Sequence, residues 1–223
     1  MSQPFLIFGH RGSPNRFPEN TLASFDEALG AGADGFETDL RLLSDGTAIL
    51  YHDDELAGVE IESLSEADVK SRGAVVHRLS ELAAYAGKTM MVLEVKRSKW
   101  EDVLLEHVKG WPNVIIASFD HSIIAELHRR GVSLPLGITT YGTIVDIAGY
   151  AERLGATWCF PAYRYVTREM VASLHQRQIR VVPYTPNRVR EWDFLLDAGC
   201  DGVITDLPHE AVAWRRQALG PGP

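Results

Sequence analysis

Short apolar runs alternate with amphipathic stretches along almost the whole chain. Residues 5–8 form the first run. Behind Asn20, a candidate N-cap, Leu22, Phe25, Ala28 and Leu29 recur at helical spacing until Gly30 and Gly32 end the segment. Residues 35–40 read as the second strand, Asp45-Gly46 as a tight turn, and residues 47–51 as an extended piece leading to His52. Residues 53–76 are polar and acidic with no clear period, the one candidate insertion, and residues 79–85 read as a short helix. Strands are then expected at 90–95, 114–117, 134–139, 157–160, 180–183 and 202–205. Each is followed by a helical stretch, at 100–108, 122–130, 144–154, 168–176, 189–196 and 210–219. Glycines recur just after helices (Gly32, Gly87, Gly131, Gly155, Gly199), where a helix C-cap needs them.

Strands alternating with helices imply parallel pairing through right-handed crossovers. Eight such units predict an α/β fold, a single (β/α)8 TIM barrel with a very short insertion after the second strand. One domain is expected over residues 1–223, with a disordered tail at Gly220-Pro221-Gly222-Pro223. The chain has 223 residues, 45% of them hydrophobic and 23% charged, enough for a full core without a staple. A barrel of this class typically takes about 250 residues, so little room is left for additions.

The net charge of −8 argues against a nucleic acid as partner, which would need clustered Lys and Arg. Cys159 and Cys200 lack metal-type spacing and lie in or beside apolar runs, as buried free thiols do. No basic segment followed by a long apolar one opens the chain, and no apolar stretch approaches the roughly 18 residues that span a bilayer. A cytoplasmic protein without stable membrane insertion is expected.

In such a barrel the active site lies at the C-terminal ends of the strands. There the pattern places His10-Arg11, Glu37 and Asp39, His52, Glu94 and Lys96, Ser118 and Tyr184. Glu37 and Asp39 are two apart and leave one face of their strand, while Phe36, Thr38 and Leu40 leave the other. Glu94 and Lys96 do the same, with Val92 below them. Ionised groups inside a strand are costly unless paired or metal-bound. Three carboxylates in one mouth repel unless a cation sits between them, and oxygen-only ligation suits Mg²⁺ or Ca²⁺ rather than zinc. Taken singly, these residues have plainer readings. Glu94–Lys96 could be a structural ion pair, Glu37–Asp39 an ion-paired layer, His10 a packing residue and Asn20 only a helix cap. The other histidines, at 77, 107, 121, 128, 175 and 209, read as surface. The joint placement at one end of one barrel favours chemistry: metal-dependent cleavage of a phosphodiester.

The blocks His10-Arg11-Gly12, Pro18-Glu19-Asn20-Thr21, Glu37-x-Asp39, Asp45-Gly46 and His52-Asp53 resemble the signature of the glycerophosphodiester phosphodiesterase family. Glu94-Val95-Lys96, Ser118-Phe119 and Gly202-Val203-Ile204-Thr205-Asp206-x-Pro208 extend the resemblance over nearly the whole chain. It implies a TIM barrel that hydrolyses a small-molecule glycerophosphodiester to glycerol 3-phosphate and an alcohol, with one divalent metal ion, Mg²⁺ or Ca²⁺. It further implies that Glu37, Asp39 and Glu94 are metal ligands, with Glu19 a candidate addition, and that His10 and His52 are the general acid–base pair. Arg11 and Lys96 would hold the phosphate, and Tyr184 would contact substrate.

Histidine titrates near neutrality, so one ring can accept the nucleophile's proton while the other donates to the leaving oxygen. Water or the glycerol's own adjacent hydroxyl could attack, and either histidine could be the acid. Two departures from the family pattern touch substrate contacts. The segment Asp54-Glu55-Leu56-Ala57-Gly58 lacks the usual leucine, arginine and paired threonines, and Tyr184-Thr185-Pro186-Asn187 stands where a tryptophan is usual. A phospholipase-D-like lyase acting on lysophospholipids, a metal-dependent isomerase or aldolase, and a non-catalytic phosphate-ester binding protein are the alternative readings.

Overall fold

The structure, a computed structural model, describes residues 5–220. β1 (Leu6–Gly9) leads to α1 (Leu22–Ala31), and β2 (Gly35–Leu42) follows. The segment after β2 folds as β3 (Ala48–Leu50), the hairpin β4 (Glu55–Leu56) and β5 (Val59–Glu60), a 3-10 turn at Ile61–Ser63, α2 (Glu66–Ser71), β6 (His77–Arg78) and a 3-10 helix at Leu79–Tyr85. Regular units then repeat: β7 (Met90–Val95) with α3 (Glu101–His107), β8 (Val114–Ser118) with α4 (His121–Arg129), and β9 (Leu136–Thr140) with α5 (Ile147–Arg153). The last three are β10 (Trp158–Pro161) with α6 (Arg168–His175), β11 (Arg180–Val181) with α7 (Val189–Asp197), and β12 (Gly202–Thr205) with α8 (Pro208–Leu219).

Among the described residues, eight parallel strands run in the order β11-β10-β9-β8-β7-β2-β1-β12. The ladder itself is open between β11 and β12. Backbone bonds from Asp201 to Val181 (2.8 Å) and from Ile204 to Pro183 (2.9 Å), with a parallel bridge between Tyr184 and Ile204, span that seam. This is the expected TIM-barrel architecture.

Alternation along each strand feeds two separate cores. Leu6, Phe8, Val92, Ile115, Ala117, Trp158, Phe160, Val182 and Ile204 point inward and fill the barrel. Their neighbours Ile7, Phe36, Met91, Leu93, Ile116, Cys159 and Val203 point outward under the helices, against Phe25, Leu104, Ile124, Leu127 and Trp192. Phe25 stacks on Phe36 with centroids 4.1 Å apart and pins α1 to β2. An aromatic pair of this kind contributes about 0.5–1.5 kcal/mol beyond its burial. Both cysteines are buried and free, as expected.

The insertion is more ordered than its composition suggests. Leu43, Ile49, Ile61, Leu64 and Val69 form a small core of their own, and a capping box between Ser65 and Asp68 starts α2. Residues 79–85 form the short helix expected, of the 3-10 kind. Its buried positions, Leu79, Leu82 and Tyr85, recur every three residues, the period of that helix. Thr21, not Asn20, caps α1: its side chain accepts from the Ser24 amide. Gly30 does not end that helix, which runs to Ala31 and closes on Gly32 at φ 97°. Of the tail expected to be disordered at residues 220–223, Gly220 is ordered as the residue that ends α8, and positions 221–223 lie outside the described residues. No helix among the described residues is long and apolar enough to cross a membrane.

Candidate active site

Register on the β2–β7 ladder builds the centre of the site. Asp39 lies opposite Glu94 and Glu37 opposite Val92, so the inward side chains set the three carboxylates at the top of the barrel core. Oxygens of Glu37, Asp39 and Glu94 all lie within 4.8 Å of one another, and all three residues are buried. Lys96 Nζ sits 2.7 Å from Asp39 Oδ1 and also bonds Glu94 Oε1. Three buried carboxylates, when all ionised, exceed the Lys96 ammonium and the Arg11 guanidinium beside Asp39, which is shared with Glu19, and leave an excess of negative charge. An oxygen-only donor set of this size fits a hard divalent cation such as Mg²⁺ or Ca²⁺.

The electrostatics agree. Burial first, and then the Asp39 charge, push the Glu37 carboxyl up to about 8. Burial raises the Glu94 carboxyl too, with Lys96 working against it. Burial also opposes the charge on Asp39, yet Lys96 and Arg11 outweigh it and hold that carboxyl below its ordinary range. One mouth thus holds carboxylates driven in opposite directions, as at sites that gather charge for a ligand.

The turn after β1 brings in His10 and Arg11. It is tight: a Cβ on Gly9 would stand 2.1 Å from the Gly12 carbonyl oxygen, and Gly12 itself adopts φ 92°. Arg11, at φ 51°, donates its amide to Glu37 Oε2 at 3.0 Å and its Nη1 to Glu19 at 2.9 and 3.0 Å. Its Nε lies 3.1 Å from Asp39 Oδ2, close enough for an ion pair but out of line for a hydrogen bond. A buried guanidinium, ion-paired with Asp39, therefore stands at the cavity wall. Glu19 is spent on Arg11 and half-exposed, and it does not join the carboxylate cluster.

His10 Nδ1 bonds Asp206 Oδ1 at 2.7 Å, which leaves Nε2 facing Glu37 Oε2 at 4.0 Å. Burial alone would lower this histidine, but the Asp206 bond and the Glu37 charge raise it above its ordinary value. Asn187 Nδ2 donates to the other Asp206 oxygen at 2.6 Å, and Asn187 Oδ1 accepts from the Thr205 hydroxyl and the Asp206 amide. His52 follows β3 and pairs with Asp53 at 2.8 Å.

A cavity of about 240 Å³ joins these groups. His10, Arg11, Glu37, Asp39, His52, Glu94 and Lys96 form its charged wall, and Ala117, Phe119, Phe160, Tyr184 and Ile204 its apolar one. Tyr184 donates to the Thr140 carbonyl at 3.1 Å and meets Phe119 edge-on at 5.8 Å. Eight of the nine residues expected at the strand ends line this one cavity; Ser118 does not, being buried with its hydroxyl donating to the Val95 carbonyl at 2.7 Å.

Sequence reasoning missed three residues. Asn20, expected only as a helix cap, is buried at φ 56° and donates to Asp39 Oδ2 at 2.9 Å, while its carbonyl accepts from the Thr38 hydroxyl and the Asp39 amide. Asp206 and Asn187 hold His10. Their signal was their position just after strands, where the mouth residues gather. Of the outlying histidines, His128 and His175 are exposed as expected, whereas His121 is half-buried between the Tyr150 hydroxyl and the Thr139 carbonyl, both at 2.9 Å.

The sequence profile of the Glycerophosphoryl diester phosphodiesterase family matches residues 10–89 and 79–210. A glycerophosphodiester phosphodiesterase of Bacillus altitudinis is 30% identical over 95% of this chain and 98% of its own. One of Caldanaerobacter subterraneus is 27% identical over 93% and 96%. The crystal structure of a glycerophosphodiester phosphodiesterase from Thermotoga maritima superposes with a TM-score of 0.84 at 26% identity, covering 96% of this chain and 99% of that one. An Oleispira antarctica phosphodiesterase, solved in complex with the product sn-glycerol-3-phosphate, shares the fold with a TM-score of 0.84 at 21% identity over 94% and 96%.

Proposed function

The chain belongs to the glycerophosphoryl diester phosphodiesterase family, and on that premise we propose that it hydrolyses small-molecule glycerophosphodiesters to glycerol 3-phosphate and an alcohol. The observation that carries this reading is the single cavity in which two histidines, an arginine and a lysine stand with three clustered carboxylates. A phosphodiester is anionic and resists attack, so a site for it must offset charge and protonate a leaving alkoxide.

Glu37, Asp39 and Glu94 would hold one divalent metal ion, Mg²⁺ or Ca²⁺, which when bound supplies charge neutralisation at the phosphoryl oxygens. Arg11 and Lys96 add cationic charge at the wall that would face the same oxygens. His10 and His52 act as the acid–base pair. Asp206 accepts the Nδ1 proton of His10, so Nε2 is the nitrogen that works on substrate. One ring takes the proton of the attacking oxygen and the other gives a proton to the departing alcohol. Tyr184 and Phe119 offer an apolar wall to the organic part of the diester. All these groups come from one barrel, which supports reading residues 1–223 as a single domain. The Oleispira antarctica protein, which carries the same product on the same fold, is consistent with this reading.

Product analysis by phosphorus NMR in ¹⁸O-water tests it. Glycerol 3-phosphate carrying one solvent oxygen on phosphorus is expected from a metal-supplied reaction with glycerophosphocholine or glycerophosphoethanolamine. A cyclic phosphate as the final product points to the lyase reading. No product from any glycerophosphodiester, with the protein folded and metal present, contradicts the proposal.

A further inference from the structure

The two histidines are held by different means. The His10 ring is fixed by Asp206, which Asn187 holds in turn. The one described partner of the His52 ring is Asp53, whose side chain is 69% exposed, and a solvent-facing pair of this kind constrains little. The His52 backbone, by contrast, is gripped on both sides. The Tyr51 amide donates to the Asp39 carbonyl at 3.0 Å. The His52 carbonyl accepts two bonds from Arg41, from Nε at 3.2 Å and from Nη2 at 2.7 Å.

Arg41 follows Asp39 by two positions on β2, so its side chain leaves the same face one step above the carboxylates. Its side chain is only 3% exposed, which is costly for a cation unless every donor is used. Nη2 also donates to Asp54 Oδ1 at 2.6 Å and Nη1 to Glu62 Oε1 at 3.2 Å. One planar fork thus ties three things together: the metal-type strand, the His52 carbonyl and the short insertion. Arg97 lies on the outer side of the same two carboxylates, 3.4 Å from Glu62 and 3.8 Å from Asp54, and also 3.4 Å from Glu60, with no hydrogen bond to His52 among the described residues.

We propose that Arg41 is a positioning residue for His52, and that Asp54 and Glu62 of the insertion serve to hold its guanidinium. The insertion is then part of the catalytic frame, because it sets where the His52 imidazole stands against the β2 carboxylates. This inference rests on the role given above to His52. Lysine cannot replace the fork: one ammonium cannot grip the carbonyl and both carboxylates in a plane.

The test compares wild type, Arg41→Lys, Asp54→Asn, Arg97→Ala and His52→Ala for kcat and KM on glycerophosphocholine with saturating Mg²⁺. Proton NMR of the imidazole C–H resonances, assigned by loss in the His52→Ala and His10→Ala proteins, supplies a readout independent of turnover. Arg41→Lys is expected to lower kcat by about 100-fold with KM held within about twofold, as small misplacements of a reacting group do. It is expected to shift the His52 resonances and leave those of His10 in place. Asp54→Asn, at an exposed side chain that does not threaten the fold, gives a smaller loss of the same kind, and Arg97→Ala gives none. In the His52→Ala background, Arg41→Lys adds no further loss. Unshifted His52 resonances in both Arg41→Lys and Asp54→Asn, or a loss that persists in full without His52, overturns the inference. Full activity of His52→Ala is a different failure, since it removes the role of His52 itself.

Discussion

Lys96 Nζ lies 2.7 Å from Asp39 Oδ1 while also bonding Glu94, so a single ammonium bridges two of the three carboxylates in the mouth. Among the described residues, Glu37 is left with the Arg11 amide at 3.0 Å and the His10 ring at 4.0 Å. The cluster is under-neutralised by the protein alone. A divalent cation held there would therefore compensate the same charges as Lys96.

That sharing gives the first expectation. Removing one partner of a buried ion pair typically costs about 3–5 kcal/mol, because the other charge is left uncompensated. Lys96→Met in chelator is expected to lose stability on that scale in urea unfolding, and to recover part of it with Mg²⁺ or Ca²⁺. An equal deficit with and without metal would separate Lys96 from the metal site.

Glu37 behaves oppositely. Its carboxyl is crowded by burial and by Asp39, so Glu37→Gln relieves repulsion and is expected to melt no lower than wild type in chelator. Metal at 100 times its dissociation constant stabilises a native site by about 2.7 kcal/mol. Wild type should gain that amount in a thermal scan, and Glu37→Gln should gain almost none and turn over no substrate. If both proteins respond equally to metal, the ion binds elsewhere.

The His10–Asp206–Asn187 chain fixes which ring nitrogen faces the cavity. Asp206→Asn can present an N–H to Nδ1 and favour the wrong tautomer. General acid–base groups supply about 10²–10⁴ in rate. A kcat loss near the lower end of that range, with KM little changed, is expected in steady-state kinetics. Asn187→Ala should give a milder version, and a rise in KM alone would assign Asp206 to binding instead.

The cysteines carry a simpler expectation. Burial pushes both the Cys159 and the Cys200 thiols up to about 12, so neither forms thiolate at neutral pH in the native protein. An aromatic disulfide reagent should titrate no thiol in the folded enzyme and both in guanidinium. Rapid native reaction would show that the outer core around α6 and β12 opens.

Much of the fold was legible because strand periodicity and burial coincide. β7 and β12 fall on the residues expected, and the inward Glu37, Asp39 and Glu94 follow from alternation alone. What stayed hidden depends on contacts between distant positions. Asn20 reads as a cap because its type and place suit one, and only the fold brings its amide to Asp39. Asp206 lies 196 positions from His10 and meets it only when β1 and β12 pair. Arg41 looks like one polar residue on a strand until the insertion folds over it. Glu19 shows the converse: its motif suggests a ligand, and Arg11 claims it first.

The most direct measurement is glycerol 3-phosphate release from glycerophosphocholine by wild type and His10→Ala, each with Mg²⁺, with Ca²⁺ and after chelation. Wild type should release product with at least one of the two metals and stop in chelator, and His10→Ala should remain folded, still gain stability from metal, and lose about 100-fold or more in kcat. Metal-independent release by wild type, or full release by His10→Ala, would contradict the assignment of this mouth as the phosphodiesterase site.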